Sequence, residues 1–326
     1  MTTGRIDVHA HFLPAGYRAA AEAAGHQQPD GFPTLPEWDV DRHVEVLDRL
    51  DIAVALLSIS SPGVHFGDEA AARSLAREVN EAGFRAIERH PTRFGQLASL
   101  PLPDVEGTLD EIAHAYDTLD VDGVALLTNA DGTYLGDATL EPVFDELDRR
   151  HARVFIHPTS PLCWEHTSFG RPRPMLEFLF DTTRAVVNLV LNGTIARHPN
   201  IEIIVPHAGA TLPAIADRVA AFSTVLGDVD PAADVMRDLA RLHYDLAGFP
   251  IPRQLDALRS ITTLEHLHYG SDYPFTSAGI AGMLVAQLDD ATTPAGSVTA
   301  ALSDNTRRLF PSLARLSAIP PTEEQP

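Results

Sequence analysis

The chain has 326 residues, 44% of them hydrophobic, which is enough for a sizeable core, and it carries 45 acidic against 24 basic side chains for a formal net charge of -21. Such a surface repels polyanions, so nucleic acid and anionic membranes are poor partners, and an anionic small molecule needs a local positive centre. All 24 basic residues are arginine, which excludes a Schiff-base lysine, a lysine base and a lysine carbamate bridging two metals.

Eight short apolar segments read as strands, at about 5–12, 53–60, 94–101, 122–128, 153–158, 201–207, 242–247 and 267–272. Runs such as Val54-Ala55-Leu56-Leu57 and Val154-Phe155-Ile156 suit parallel strands covered on both faces. Helical spacing fills the intervals at 68–89, 105–118, 139–151, 174–197, 211–225, 231–240 and 251–259, and again near 277–289 and 295–309. Eight strands alternating with helices predict an α/β fold of the (β/α)8 TIM-barrel type, with a doubly wound open sheet as the alternative. Two connections are long. The segment 13–50 after strand one and the segment 159–173 after strand five are rich in proline and should overhang the barrel mouth. One domain over 1–313 is expected, followed by a disordered tail at 314–326.

Cys163 is the only cysteine, so no intrachain disulfide can form, and a reducing, cytoplasmic compartment is expected. No leader pattern precedes the first strand, and no apolar run approaches the roughly 20 residues of a membrane span.

Four polar segments fall at strand ends: Asp7-Val8-His9-Ala10-His11, Ile156-His157-Pro158, Pro206-His207-Ala208-Gly209 and Gly270-Ser271-Asp272-Tyr273-Pro274. Residues i and i+2 of a strand share a face, so His9 and His11 can aim at one ion. Adding His157 and Asp272 gives a nitrogen and oxygen donor set suited to one catalytic divalent metal, zinc or manganese, with positions left for water or substrate. An open sheet would not readily bring strands one, five, six and eight around one centre. Arg184 is a candidate for pairing with a substrate carboxylate or for a surface contact. Asp245, ending strand seven, is a candidate partner for a ligand. Trp164, Phe12 and Tyr273 are candidates for an aromatic pocket wall.

At these motifs the chain resembles the amidohydrolase superfamily, in its metal-dependent decarboxylase branch, which includes aminocarboxymuconate-semialdehyde and γ-resorcylate decarboxylases. The likeness runs from about Arg5 to Leu313. Tyr134-Leu135-Gly136, Phe155-Ile156-His157-Pro158-Thr159, Asp181-Thr182-Thr183-Arg184-Ala185 and His207-Ala208-Gly209-Ala210-Thr211-Leu212-Pro213 draw it toward the 6-methylsalicylate decarboxylases. Two departures bear on the substrate. Asp181-Thr182-Thr183-Arg184 stands where the family pattern is Glu-Thr-Gly-Arg, and Ser160 replaces a second histidine.

The resemblance implies His9, His11, His157 and Asp272 as metal ligands and His207 as a catalytic histidine beside them. It implies non-oxidative decarboxylation of a small ortho-hydroxylated aromatic carboxylic acid, 6-methylsalicylate to 3-methylphenol plus CO2, with no organic cofactor and in a homodimer. Asp272 would deliver the proton to carbon with His207 orienting it, or His207 would act as base toward a water with Asp272 purely a ligand. A lactonase-like hydrolase on the same barrel, and a metal-binding barrel without turnover, are the competing readings.

Overall fold

A computed structural model of the chain describes residues 4–225, 227, 229–293 and 296–317. Eight parallel strands form its centre: β1 (Arg5–His11), β2 (Ile52–Ser58), β3 (Phe94–Ser99), β4 (Gly123–Leu127), β5 (Arg153–His157), β6 (Glu202–Val205), β7 (His243–Asp245) and β8 (Leu267–His268). They pair in sequence order, and bridges Asp7–Tyr269 and Ala10–Tyr273 join the last strand region back to the first. The (β/α)8 barrel is therefore the fold, nearly closed by those two bridges.

Helices alternate with the strands. Two lie after β1, α1 (Ala15–Ala23) and α2 (Val40–Arg49). They are followed by α3 (Glu69–Arg89), α4 (Val105–Asp117), α5 (Glu141–Arg149), α6 (Glu177–Leu191), α7 (Leu212–Ser223), α8 (Val235–Arg241), α9 (Gln254–Leu258), α10 (Ala278–Asp290) and α11 (Val298–Leu309). Several start on a side-chain cap. Asp39, Asp68, Asp104 and Asp234 accept from the backbone N–H groups of Arg42, Ala71, Gly107 and Arg237. Each such cap contributes about 1 kcal/mol by occupying an amide that the helix leaves free.

Two apolar layers hold the barrel. Outward-facing Ala55, Leu57, Ala98, Val124, Val154 and Val205 pack under the helices. Ile6, Val8, Val54, Leu56, Leu97, Phe155 and Ile204 fill the interior, and Leu309, Phe310 and Leu313 cover them at the end opposite the strand C-termini. Burying each large side chain stabilises the fold by roughly 1.5–3 kcal/mol.

The pairing of β1 with β2 contains a local irregularity that matters for the site. Asp7 faces Ala55 and Ala10 faces Leu57, so three steps on β1 match two on β2. An extra residue of this kind reverses the alternation. Ile6 and Val8 thus face inward below it, and His9 and His11 face inward above it.

The long segment 13–50 carries α1 and α2. One expectation is corrected. The helix expected over 174–197 is divided, because Gly193 takes φ +69° between α6 and a short turn at Thr194–Arg197. A β-carbon at Gly193 would meet Asp230 at 2.4 Å, so only glycine fits this break. Of the tail expected at 314–326, residues 314–317 lie in a 3-10 helix over Pro311–Ser317. The remainder of that tail, 318–326, lies outside the described residues.

Candidate metal centre

His9 and His11 leave β1 side by side, His157 ends β5, and Asp272 follows β8 in a left-handed conformation, φ +56°. One donor atom from each of the four lies within 4.8 Å of the others. Asp272 Oδ1 is 3.5 Å from His9 Nε2 and 3.3 Å from His11 Nε2. The strand-end motifs singled out in the sequence thus meet at one point, at the C-terminal mouth where barrel active sites lie.

The outer ring nitrogens fix the tautomers. His9 Nδ1 donates to Asp245 Oδ2 at 2.7 Å, His157 Nδ1 donates to the Pro158 carbonyl at 2.7 Å, and His11 Nδ1 is 3.1 Å from Ser58 Oγ and 3.3 Å from the Ser58 carbonyl. Protons held there leave the Nε2 lone pairs turned toward the common centre. Ser60 Oγ lies 3.3 Å from His157 Nε2. The Nε2 atoms of His9 and His11 are buried and have no hydrogen-bond partner among the described residues. Buried unsatisfied nitrogens are costly, and a cation would supply what both lack. The donor set therefore fits a divalent metal.

Charge is arranged to match. Burial opposes a proton on His11 and drives its pKa down, and on His157 burial and the neighbouring imidazoles push it well below the ordinary value. Burial acts the same way on His9, but the carboxylates of Asp245, Asp272 and Asp7 outweigh it and raise its pKa. Burial raises the Asp272 carboxyl, yet the facing imidazoles of His11, His207 and His9 outweigh it and hold it well below the carboxylate range. Asp7, fully buried, accepts from the amides of His9 and Ser271, both at 3.0 Å, so it ties β1 to the Asp272 segment.

His207 follows β6 with its Nε2 4.0 Å from Asp272 Oδ2. Asp245 sits between: its Oδ1 accepts from the His207 amide at 2.9 Å while its Oδ2 holds His9.

A cavity of about 470 Å³ opens over this centre. Phe32, Met175, Phe178, Leu179, Phe249 and Phe275 make its apolar wall, and Asp30, Ser60, Ser61, Gln254 and Thr276 its polar positions. Among the described residues no arginine lines it. Phe32 comes from the first of the two long connections expected to overhang the mouth, and Met175 lies just past the end of the second.

The four candidate substrate contacts lie elsewhere. Arg184 is half-exposed on α6, 3.7 Å from Asp181. Asp181 itself is buried and accepts hydrogen bonds from Thr128, Asn129 and Tyr134. Phe12 is core, edge-on to Trp38, and Tyr273 packs against His43. Trp164 lies under the Arg173 guanidinium, 4.1 Å from its ring centre. Sequence reasoning missed Phe32, Phe178, Phe249, Phe275 and Gln254, which share no period or spacing. It also missed Ser58, for which the end of β2 was the available signal. A second group, Glu141, Asp145 and His198, lies on the outer helices, where Arg197 grips both Glu141 oxygens at 2.7 and 2.9 Å.

Among the described residues no helix is long and apolar enough to cross a membrane. Comparison with known proteins agrees with the geometry. The model of the amidohydrolase family matches residues 6–312. A 6-methylsalicylic acid decarboxylase of Aspergillus aculeatus is 35% identical over 328 residues, covering 96% of this chain and 98% of the relative. A crystal structure described as an amidohydrolase II superposes with TM-score 0.89 at 35% identity, over 94% of this chain and 99% of that one. A 5-carboxyvanillate decarboxylase of Novosphingobium aromaticivorans, complexed with manganese, shares the fold with TM-score 0.85 at 19% identity, over 94% and 96% of the two chains. The chain belongs to the amidohydrolase family.

Proposed function

We propose that the chain is a metal-dependent, non-oxidative decarboxylase of an ortho-hydroxylated aromatic acid, with 6-methylsalicylate giving 3-methylphenol and CO2. The observation that carries this reading is the apolar, arginine-free cavity set over three imidazoles and a carboxylate. An aromatic ring fits its phenylalanine wall, and the metal position offers the acid's charge a positive centre. The named activity of the Aspergillus aculeatus relative supports the same substrate.

His9, His11, His157 and Asp272 would hold a divalent ion, whose positive charge would meet the acid and stabilise negative charge developing on the ring. Zinc and manganese both suit that set. Asp272 takes the phenol proton and returns it to the carboxyl-bearing ring carbon, giving a cyclohexadienone. The bond from that carbon to the carboxylate then breaks, its electron pair restores the aromatic ring as a phenolate, and CO2 departs. Solvent returns a proton to the phenolate oxygen. His207, beside Asp272, orients that carboxyl, and the Phe32, Phe178 and Phe275 side chains hold the ring and displace water.

A single barrel domain over 1–313 would carry this activity. Phe169, Met175 and Phe249, exposed near the mouth, suit a homodimer contact. The lone Cys163 suits a reducing cytoplasm. Turnover in D2O tests the chemistry. A decarboxylase places one deuterium on the ring carbon between the hydroxyl and methyl groups of 3-methylphenol. A lactonase-like enzyme instead opens a lactone and incorporates solvent oxygen, and that pattern with no aryl deuteration would overturn the reading.

A further inference from the structure

Four consecutive residues after β6 take positive φ: His207 +55°, Ala208 +51°, Gly209 +75° and Ala210 +54°. Three of them carry a β-carbon, for which this region is disfavoured, so surrounding contacts must impose the turn. One contact is steric. A β-carbon at Gly209 would lie 3.1 Å from Leu258 of α9 and 3.2 Å from the Tyr244 ring, so the backbone is pressed between them. Asp245 Oδ1 holds the His207 amide from one side. From the other side, Gln254 Nε2 donates to the His207 carbonyl at 2.8 Å and to the Ala210 carbonyl at 3.0 Å.

The His207 ring lacks such support. Its Nδ1 is buried with no partner among the described residues, and its Nε2 stands 4.0 Å from Asp272. The place of the imidazole is therefore set by the backbone of the turn rather than by hydrogen bonds to the ring. Gln254 is the side chain that bridges both ends of that turn, and it also lines the cavity over the metal centre.

We propose that Gln254 is a positioning residue that locks the left-handed 207–210 turn and so aims His207 at Asp272. This rests on the reading that His207 serves the decarboxylation. Its two N–H bonds reach the carbonyls at both ends of the turn, adding to the Ala210 amide that the His207 carbonyl already accepts at 3.0 Å, and α9 begins at this residue. A side chain of the same length without the N–H group should release the turn while leaving the four metal ligands in place.

The test compares Gln254→Glu and Gln254→Met with the unmodified metal-loaded enzyme. The expected result is a fall in kcat of about 10–100-fold, the scale of a small misplacement of a catalytic group. KM, bound metal and Tm should stay within twofold or a few degrees, and amide exchange should quicken in the peptide spanning 206–211. In a His207→Asn background, Gln254→Met should cause no further loss, because its effect passes through His207. Unchanged kcat and unchanged exchange in both Gln254 variants would overturn the proposal. So would an equal loss in the His207→Asn background, or loss of metal and Tm with kcat per bound metal preserved. Should the unmodified enzyme fail to decarboxylate, the functional reading fails, and the exchange measurement still decides whether Gln254 locks the turn.

Discussion

Asp245 joins two histidines with one carboxylate. Its Oδ2 takes the Nδ1 proton of His9 at 2.7 Å, and its Oδ1 takes the backbone N–H of His207 at 2.9 Å. The group that fixes a metal ligand's tautomer thus also seats the histidine proposed to serve the reaction. Asp245→Asn removes the charge that favours Nδ1–H on His9. The expected outcome is a 10–100-fold or so weaker metal affinity together with reduced kcat, read by chelator competition and metal analysis.

Asp272→Asn keeps an oxygen beside His9 and His11 but no carboxyl to carry a proton. We expect turnover to vanish even in preparations that retain metal by elemental analysis. Near-normal decarboxylation by that variant would remove Asp272 as the proton carrier.

Metal removal should destabilise as well as inactivate. The Nε2 atoms of His9 and His11, without a partner among the described residues, would gain one when a cation binds. Binding to the folded state alone adds about 2.7 kcal/mol at a free metal concentration one hundred times Kd. Thermal unfolding with and without chelator should therefore show a higher Tm for the loaded protein, rising with metal concentration.

The aromatic wall should set affinity for the ring. Phe275 lies 5.6 Å from His11 and 5.7 Å from Phe32, ring centre to ring centre. Phe275→Ala should raise KM for 6-methylsalicylate by about tenfold or more, since apolar contacts of this kind discriminate by roughly 1–3 kcal/mol. Steady-state kinetics on the metal-loaded variant measure this directly.

Much of this centre was legible in the sequence because strand-end chemistry is local. His9 and His11 declare themselves by the two-residue period, and His157 and Asp272 by short polar motifs closing apolar runs. The barrel was legible for a similar reason, since its buried strands and capped helices follow simple periods. The cavity wall was not. Phe32, Phe249 and Phe275 come from three separate connections and Phe178 from the start of α6, and nothing in their spacing reports where the backbone takes them. The bulge in β1 was also hidden, although without it Val8 and His9 could not both face inward. Arg184 is the converse case, because suitable chemistry marked it and it stands half-exposed on α6 beside Asp181, outside the cavity lining.

Away from the site, Glu146 is held by Arg149 and Arg150, both at 2.6 Å, and hydrogen bonding by Arg149 is the main force that lowers its pKa to about 2. A depressed folded pKa means that the pair stabilises the fold above the unfolded value of 4.5 and that this contribution is lost as pH falls toward 2. Glu146→Gln should therefore lower Tm slightly at neutral pH, and the difference from the unmodified protein should disappear in acid. Tm measured against pH for both proteins checks the sign.

The most direct test of the central claim is product analysis of purified, metal-loaded protein given 6-methylsalicylate, beside a chelated control. The account predicts 3-methylphenol and CO2 in equal amounts, formed only when metal is bound. Absence of both products from protein with confirmed metal content would contradict it.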